Sequence, residues 1–379
     1  MAITFIHTAD IHLDSHFRSL GDYAETRQKD FLATFSKICQ VAIEKKADFL
    51  VIAGDLFDSP HPSQACFGRV QAELEKVFAN DTQVILIPGT HDNIMASDHV
   101  YRHPFWKSTV LFKDPILKDP IHIQRKNEHV YFYGIAYLPE QVTPYLSHLK
   151  RRSSEGIHIG LLHGSVQNAP NWKIYGKDFP ITEEQIFSLG LDYLALGHYH
   201  NALIYEEQGR IRASYPGTPE GKRFKEQGDR FVHWIEISSG AAAKVTLSQV
   251  PVNSKTLIDV EVDLSLLSQE EQLLKEIQKK GGASILARLT LRGLWEEVLD
   301  IEKIAGACAP YFAYLELIDE TTVVDSQWIM RLEQENSIRG FFIRKMKEKI
   351  GTMTDPEEQE IYQAAFKEIL TEFQKIAQS

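Results

Sequence analysis

A chain of 379 residues, 43% of them hydrophobic, has material for more than one buried core, so two domains are expected. Its formal charge of −11 excludes a protein that coats nucleic acid through a broad basic surface, because such binding draws on many Lys and Arg contacts to phosphate, and any phosphate affinity must then be local. The opening MAITFIHTAD lacks the basic start and apolar run of a signal peptide, no 18-residue apolar stretch follows, and Cys39, Cys66 and Cys308 form no Cys-x-x-Cys pair, so a cytoplasmic protein with no membrane span is expected.

In chain order, short β-rich apolar runs at 3–6, 49–52 and 84–87 read as buried strands. Between them, 26–45 and 63–78 carry apolar residues at helical spacing, a β-α-β-α-β start that implies a largely parallel central sheet. Further buried strands are expected at 157–162 and 193–196. From 203 to 250, short alternating segments (203–205, 211–213, 231–237, 244–250) separated by Gly and Ser turns predict a second sheet packed on the first. Residues 1–250 would then form a sandwich-like α/β catalytic domain. A fresh cycle fills 255–322: strand 257–264, helix 269–279, strand 284–291, helix 298–307 and strand 311–317, a small α/β domain of its own. Residues 323–379 read as a helical tail, with a basic amphipathic stretch over 339–349 and a last helix that Asp355 caps and Pro356 opens.

Five strand-ending turns hold most of the polar residues of interest: Asp10-Ile11-His12, Gly54-Asp55, Gly89-Thr90-His91-Asp92, His163-Gly164 and Gly197-His198-Tyr199-His200. Ligands of open α/β sheets bind outside the carboxyl ends of strands, so these turns point to one shared site. Converging carboxylates and imidazoles mean a metal. Asp and His suit divalent Mn, Fe or Zn, and a two-residue spacing puts both side chains on the same side of an extended segment. Glycines at 54, 89 and 197 fit tight turns that bring backbone close to the site. Each motif alone occurs by chance in many proteins, and ordinary strand-end turn chemistry would require the whole ordered set to arise by accident.

In this order the five turns resemble the signature of the calcineurin-like phosphoesterases, Asp-x-His, Gly-Asp, Gly-Asn-His-Asp, His and Gly-His-x-His. The runs from His7 to Leu13, Ala53 to Phe57 and Tyr215-Pro-Gly-Thr-Pro-Glu220 are similar to the SbcD-type (YhaO-like) branch of DNA-repair exonuclease subunits. The motifs cover residues 1 to about 240, and the small α/β domain occupies the place of that branch's capping domain. The resemblance implies a four-layer α/β/β/α sandwich with one metal ion held by Asp10, His12, Asp55 and His200. It places a second ion on Asp55, His163, His198 and position 90, Asp55 bridging the two. Two divalent ions, with Mn2+ the leading candidate and Fe2+, Zn2+ or Mg2+ also admitted, would activate water and neutralise phosphoryl oxygens during in-line attack. His91 would orient the phosphate or protonate the departing oxygen, with Asp92 orienting its imidazole. Thr90 stands where the family has an Asn ligand; its hydroxyl reaches less far, so the second ion is expected to bind more weakly, with Asn93 nearby as an alternative donor.

By the same resemblance the partners are DNA and an SbcC-like ATPase whose coiled coil docks on the helical tail, and members of the branch commonly form homodimers. The expected activity is 3′-5′ exonuclease cleavage of DNA, with endonuclease cleavage near ends. Two other functions use the same residues: a phosphodiesterase or phosphatase of small nucleotides, which needs neither the extra domain nor the tail, and a weakly catalytic scaffold subunit, for which Thr90 is the motif-level support. Of the basic clusters, Lys150-Arg151-Arg152 and Lys222-Arg223-x-Lys225, the second is the candidate contact to a phosphate backbone. Among the remaining histidines, His16 and His61 follow motif turns and carry substrate contact as a secondary reading.

Overall fold

In a computed structural model of the chain, residues 2–137, 146–167, 169–170, 178–238, 243–264, 267, 269–295, 298–323 and 326–378 are described. By contacts the chain divides into two units, residues 1–222 with 229–255 and residues 223–228 with 256–379. The segment 323–379, read from the sequence as a separate tail, falls in the second unit with the small α/β domain.

The first unit runs β1 (Ala2–Thr8), α1 (Ala24–Glu44), β2 (Phe49–Ala53), α2 (Gln64–Ala79), β3 (Gln83–Ile87) and β4 (Val110–Leu111). It continues with β5 (Ile121–Arg125), β6 (Glu128–Gly134), β7 (Ile157–His163), β8 (Ser165–Val166), β9 (Pro180–Ile181), α3 (Glu183–Ser188) and β10 (Tyr193–Gly197). The hairpins β11 (Leu203–Glu207) with β12 (Arg210–Tyr215) and β13 (Phe231–Ser238) with β14 (Lys244–Pro251) complete it.

These strands form two sheets of six, ordered β14-β13-β1-β2-β3-β4 and β11-β12-β10-β7-β6-β5. The two packed sheets expected from the sequence are present, with the strands shared out differently: β1, β2 and β3 lie parallel in one sheet, while β7 and β10 pair in parallel in the other. The segment 203–250 does not make a sheet of its own. Its first hairpin extends the second sheet beside β10, and its second closes antiparallel onto β1. Strands β5 and β6, unseen in the sequence, complete the second sheet because β6 pairs in parallel with β7.

Alternate residues of each sheet meet in one core. Phe5, Phe49, Val51, Ile85 and Ile87 face Phe132, Ile159, Leu161, Leu194 and Leu196. Phe49 and Phe132 meet edge to face at 4.9 Å and Phe5 and Tyr193 at 5.6 Å, geometries that add about 0.5–1.5 kcal/mol per pair beyond burial. Outside the core, α1 lies against β2, α2 against β3 and α3 against β12, the four layers of an α/β/β/α sandwich. Ser63 caps α2 by accepting from Cys66 N at 3.2 Å.

A buried polar chain joins the two sheets. His7 Nε2 donates to Leu196 O at 3.2 Å, which leaves Nδ1 to accept from Tyr193 Oη at 2.8 Å. Tyr193 Oη in turn accepts from Ser214 Oγ at 2.6 Å, and Ser214 Oγ from His233 Nδ1 at 2.7 Å. Burial holds both imidazoles neutral, with His7 well below its ordinary pKa of 6.5 and His233 pushed down to about 4. A depressed folded-state pKa means that the unfolded chain binds more protons, so the stability contribution is complete above pH 6.5 and is lost as pH falls towards 4 for His233. In EDTA, urea unfolding across that window should show the wild type losing up to roughly 1.4 kcal/mol per pH unit more than His233→Gln. Parallel pH curves for the two proteins would contradict the assignment.

In the second unit, β15 (Thr256–Asp263), β16 (Gly282–Trp295) and β17 (Phe312–Val323) form a parallel sheet. Helices α4 (Glu270–Lys279) and α5 (Ile301–Cys308) cover it with Leu273, Ile277 and Ile304. Helices α6 (Ser326–Gln334), α7 (Ile338–Thr352) and α8 (Pro356–Gln378) pack through Leu332, Ile343 and Leu370, and Lys367 Nζ donates to Leu267 O at 3.1 Å. The basic residues of α7 are engaged within this unit, Arg339 and Arg344 with Glu335 and Lys347 with Glu333, whereas Ile338 and Phe341 stay exposed.

Candidate metal centre

The turns that end β1 and β2 run side by side. Asp10 N donates to Gly54 O at 3.1 Å and His12 N to Asp55 O at 3.0 Å. Asp10, His12 and Asp55 all leave their strands with φ near +50°, a left-handed conformation that costs a non-glycine residue about 1 kcal/mol or more. Such strain at three residues of one buried cluster is expected where side chains must be aimed rather than packed. The site glycines are needed for close approach: a Cβ at Gly54 would lie 2.2 Å from His163 Nδ1, and one at Gly89 would lie 2.2 Å from Asp55 Oδ1.

Asp55 sits at the centre. Its Oδ2 lies 3.3 Å from His163 Nε2 and 3.8 Å from His12 Nε2, and accepts from Thr90 Oγ1 at 3.1 Å, while Oδ1 accepts from His91 N at 2.8 Å. On one side, His12 Nε2 and His200 Nε2 are 3.1 Å apart and group with Asp10; on the other, His163 and His198 group with Asp55. A third grouping joins His12, Asp55 and His91, and within each the donor atoms lie within 4.8 Å of one another. Ala53 O, 2.9 Å from His163 Nδ1, fixes the tautomer that turns the lone pair of Nε2 inward.

The electrostatics suit cation binding. Burial opposes ionisation of Asp55, yet His163, His12 and His91 outweigh it and hold the carboxyl well below its ordinary pKa. Burial likewise opposes protonation of His163, but Asp55 pushes it up to about 9, so a cation bound at Nε2 would take the place of a proton there. Burial dominates at His12, lowered to about 4, and at His198, lowered to about 3, so both imidazoles keep lone pairs for a ligand. The oxygen and nitrogen donors, most of them buried and grouped within 4.8 Å of one another, fit divalent cations.

A calcineurin-like phosphoesterase family model matches residues 3–202. The chain belongs to this family. Calcineurin-like phosphoesterases use divalent metals, which accords with the donor groupings. The chain is similar to the uncharacterized metallophosphoesterase YhaO of Bacillus subtilis (strain 168), 25% identical over 345 residues that cover 88% of this chain and 82% of that one. It is also similar to the DNA double-strand break repair protein Mre11 of Sulfurisphaera tokodaii, 26% identical over 283 residues covering 72% and 67% of the two chains. Among solved structures, a Vps29 mutant from Entamoeba histolytica matches with a TM-score of 0.27 and 11% identity, covering 65% of this chain and 99% of that one.

Within this calcineurin-like site, Asp92 is not beside the imidazole of His91. Its buried carboxylate accepts from Gly89 N at 2.7 Å, from Phe57 N at 3.1 Å and from the Tyr101 hydroxyl, and burial with nearby Asp55 raises it to about 6. The contact to His91 expected of Asp92 is made by Asp58, whose Oδ1 lies 3.2 Å from His91 Nδ1 and 3.0 Å from His12 Nδ1 and also pairs with Lys222 Nζ. Burial would raise the Asp58 carboxyl, but these three partners hold it far below the carboxylate range, and its hydrogen bond raises His91. The signal that could have found Asp58 is its position three residues after Asp55 in the same turn. Asp178, 3.5 Å from His198 Nε2, had no motif to mark it.

Lys222 thus faces the site through Asp58, whereas Arg151 and Arg152 are spent on structure, Arg151 with Asp192 at 3.1 Å and Arg152 with Asp119 at 3.2 Å. His61 pairs with Asp98 at 2.7 Å, and His16 is exposed. The Tyr215–Glu220 turn supports His200 from behind. Thr218 N and Arg230 Nη1 donate to His200 O at 3.1 and 3.0 Å, and a Cβ on Gly217 (φ +78°) would meet that carbonyl at 2.7 Å. The turn is itself locked by Glu220, which is ion-paired with buried Arg27 at 2.7 Å and accepts from Ser254 N at 2.7 Å.

Proposed function

We propose that this chain is a metal-dependent phosphodiesterase that cuts DNA as a 3′-5′ exonuclease, with endonuclease cleavage near ends, in the cytoplasm and together with a coiled-coil ATPase of the SbcC type. The observation that carries the reading is Asp55, a single buried carboxylate with imidazole groups on either side of it. Asp10, His12, Asp55 and His200 would hold one ion, and Asp55, His163, His198 and Thr90 a second, with manganese the leading candidate. Bound there, divalent cations supply positive charge for the phosphoryl oxygens and acidify the attacking water.

The chain's own residues do the rest. Asp58 holds His91 Nδ1, leaving Nε2 of this partly exposed ring to give a proton to the departing oxygen. His91 N and Thr90 Oγ1 keep Asp55 in place. DNA as the substrate is supported by the similarity to Mre11 repair proteins and by the second unit, which a small substrate does not require. Exposed Ile338 and Phe341 on α7 are the apolar side chains offered for docking the ATPase.

The test is incubation with Mn2+ of labelled linear DNA and of bis-p-nitrophenyl phosphate, repeated with His91→Ala. Cleavage of both, reduced about a hundredfold or more in the variant, is expected. Cleavage of the small diester alone would move the assignment to small nucleotides, and inactivity on both, with a partner present, to a scaffold. Thr90 also makes a calorimetric prediction. Mn2+ titration should resolve one tight and one weak site, and Thr90→Asn should tighten the weak one roughly tenfold; equal affinities in the native protein would count against Thr90 as a ligand position.

A further inference from the structure

We infer that the first unit carries a second phosphate-binding site, a groove of about 800 Å3 lined by His99, Arg102, Lys107 and Lys113 and separate from the metal centre. His99, also in the lining, is only 7% exposed and its Nδ1 has no hydrogen-bond partner among the described residues, an unsatisfied polar atom at the groove wall. Arg102, Lys107 and Lys113 are exposed and, among the described residues, pair with no carboxylate; Asp114 is the one acidic residue of the lining. Three unpaired cations against one carboxylate in a chain of charge −11 form the kind of local basic site that the composition demands.

The groove is pre-formed. Trp106, 3% exposed, forms part of its lining and donates through Nε1 to Val100 O at 3.0 Å, and the neighbouring Tyr101 hydroxyl is held by Asp92. Val100 N donates to Pro60 O at 2.8 Å, and Asp98 pairs with His61, so the segment carrying His99 and Arg102 is fastened to the turn that bears Asp58. Burial, with Arg102 and then Lys113 nearby, lowers the pKa of His99, so the ring is neutral and one of its nitrogens carries a proton. A guanidinium and two ammonium groups exposed along one groove match the several oxygens of a phosphate group. Choosing phosphate over another anion rests on the phosphodiesterase reading. Its source is either a phosphate within a nucleic-acid strand or a free phosphate.

The full chain in EDTA would be titrated with inorganic phosphate by calorimetry and with a fluorescein-labelled single-stranded oligonucleotide by anisotropy, for the wild type and for Arg102→Ala/Lys113→Ala. Both substituted residues are exposed, so folding is not at stake, and Mn2+-dependent hydrolysis of bis-p-nitrophenyl phosphate reports on the metal centre independently. The expected result is at least a tenfold loss of affinity in the double variant with small-diester hydrolysis unchanged. Loss for the oligonucleotide alone assigns a strand phosphate, and loss for inorganic phosphate assigns a free one. Unchanged affinity for both probes overturns the groove as a site, whereas absent small-diester hydrolysis in the wild type overturns the phosphodiesterase reading and leaves the groove standing.

Discussion

Replacing Asp55 with asparagine is expected to reduce Mn2+-dependent hydrolysis about a thousandfold or more, equivalent to about 4 kcal/mol of transition-state stabilisation. The amide keeps the volume but removes the charge around which the site is organised, since Oδ2 faces His163 at 3.3 Å and His12 at 3.8 Å. A second readout does not depend on turnover. Ions that bind only the folded protein stabilise it, by about 2.7 kcal/mol at a hundred times Kd, so the wild type should show a Mn2+-induced rise in Tm that Asp55→Asn lacks. A full rise in the variant would remove Asp55 from the centre of the site.

Asp58→Asn should lower hydrolysis by roughly 10- to 100-fold, the usual range for a residue that orients a ligand or a proton donor. Its carboxylate reaches both His91 and His12, so two routes are open, and a double-mutant cycle separates them. In a His91→Ala background, Asp58→Asn should cost little further in kcat, because the proposed proton donor that it holds is gone. A weaker Mn2+ titration should persist in that background, because His12 still loses its partner. Full additivity in kcat with unchanged metal affinity would show that Asp58 acts through neither imidazole.

The contrast between Asp58 and Asp92 illustrates how far motif reading reaches. Asp92 follows His91 directly, and adjacency suggested a hydrogen bond. In the fold its side chain turns under the loop, to Gly89 N, Phe57 N and Tyr101, and Asp58 arrives from the neighbouring strand end. Strand β5 escaped notice for a related reason: exposed His122 and Gln124 alternate with partly buried positions, so it lacks the continuous apolar run that marks β1, β2 or β7. Strand β6 does carry such a run, Val130-Tyr131-Phe132-Tyr133, behind the polar pair Glu128-His129.

The chain order of Asp10, His12, Asp55, Thr90, His91, His163, His198 and His200, each close after a buried strand, could be read directly from the sequence, because strand burial and turn chemistry are local properties. What only the tertiary structure decided is which of these groups meet. The strand ends come from two different sheets, and His12 Nε2 lies 3.1 Å from His200 Nε2 across 188 residues of chain. Strand pairing and the packing of one sheet on the other set that separation; they are non-local, and no pattern along a single segment contains them.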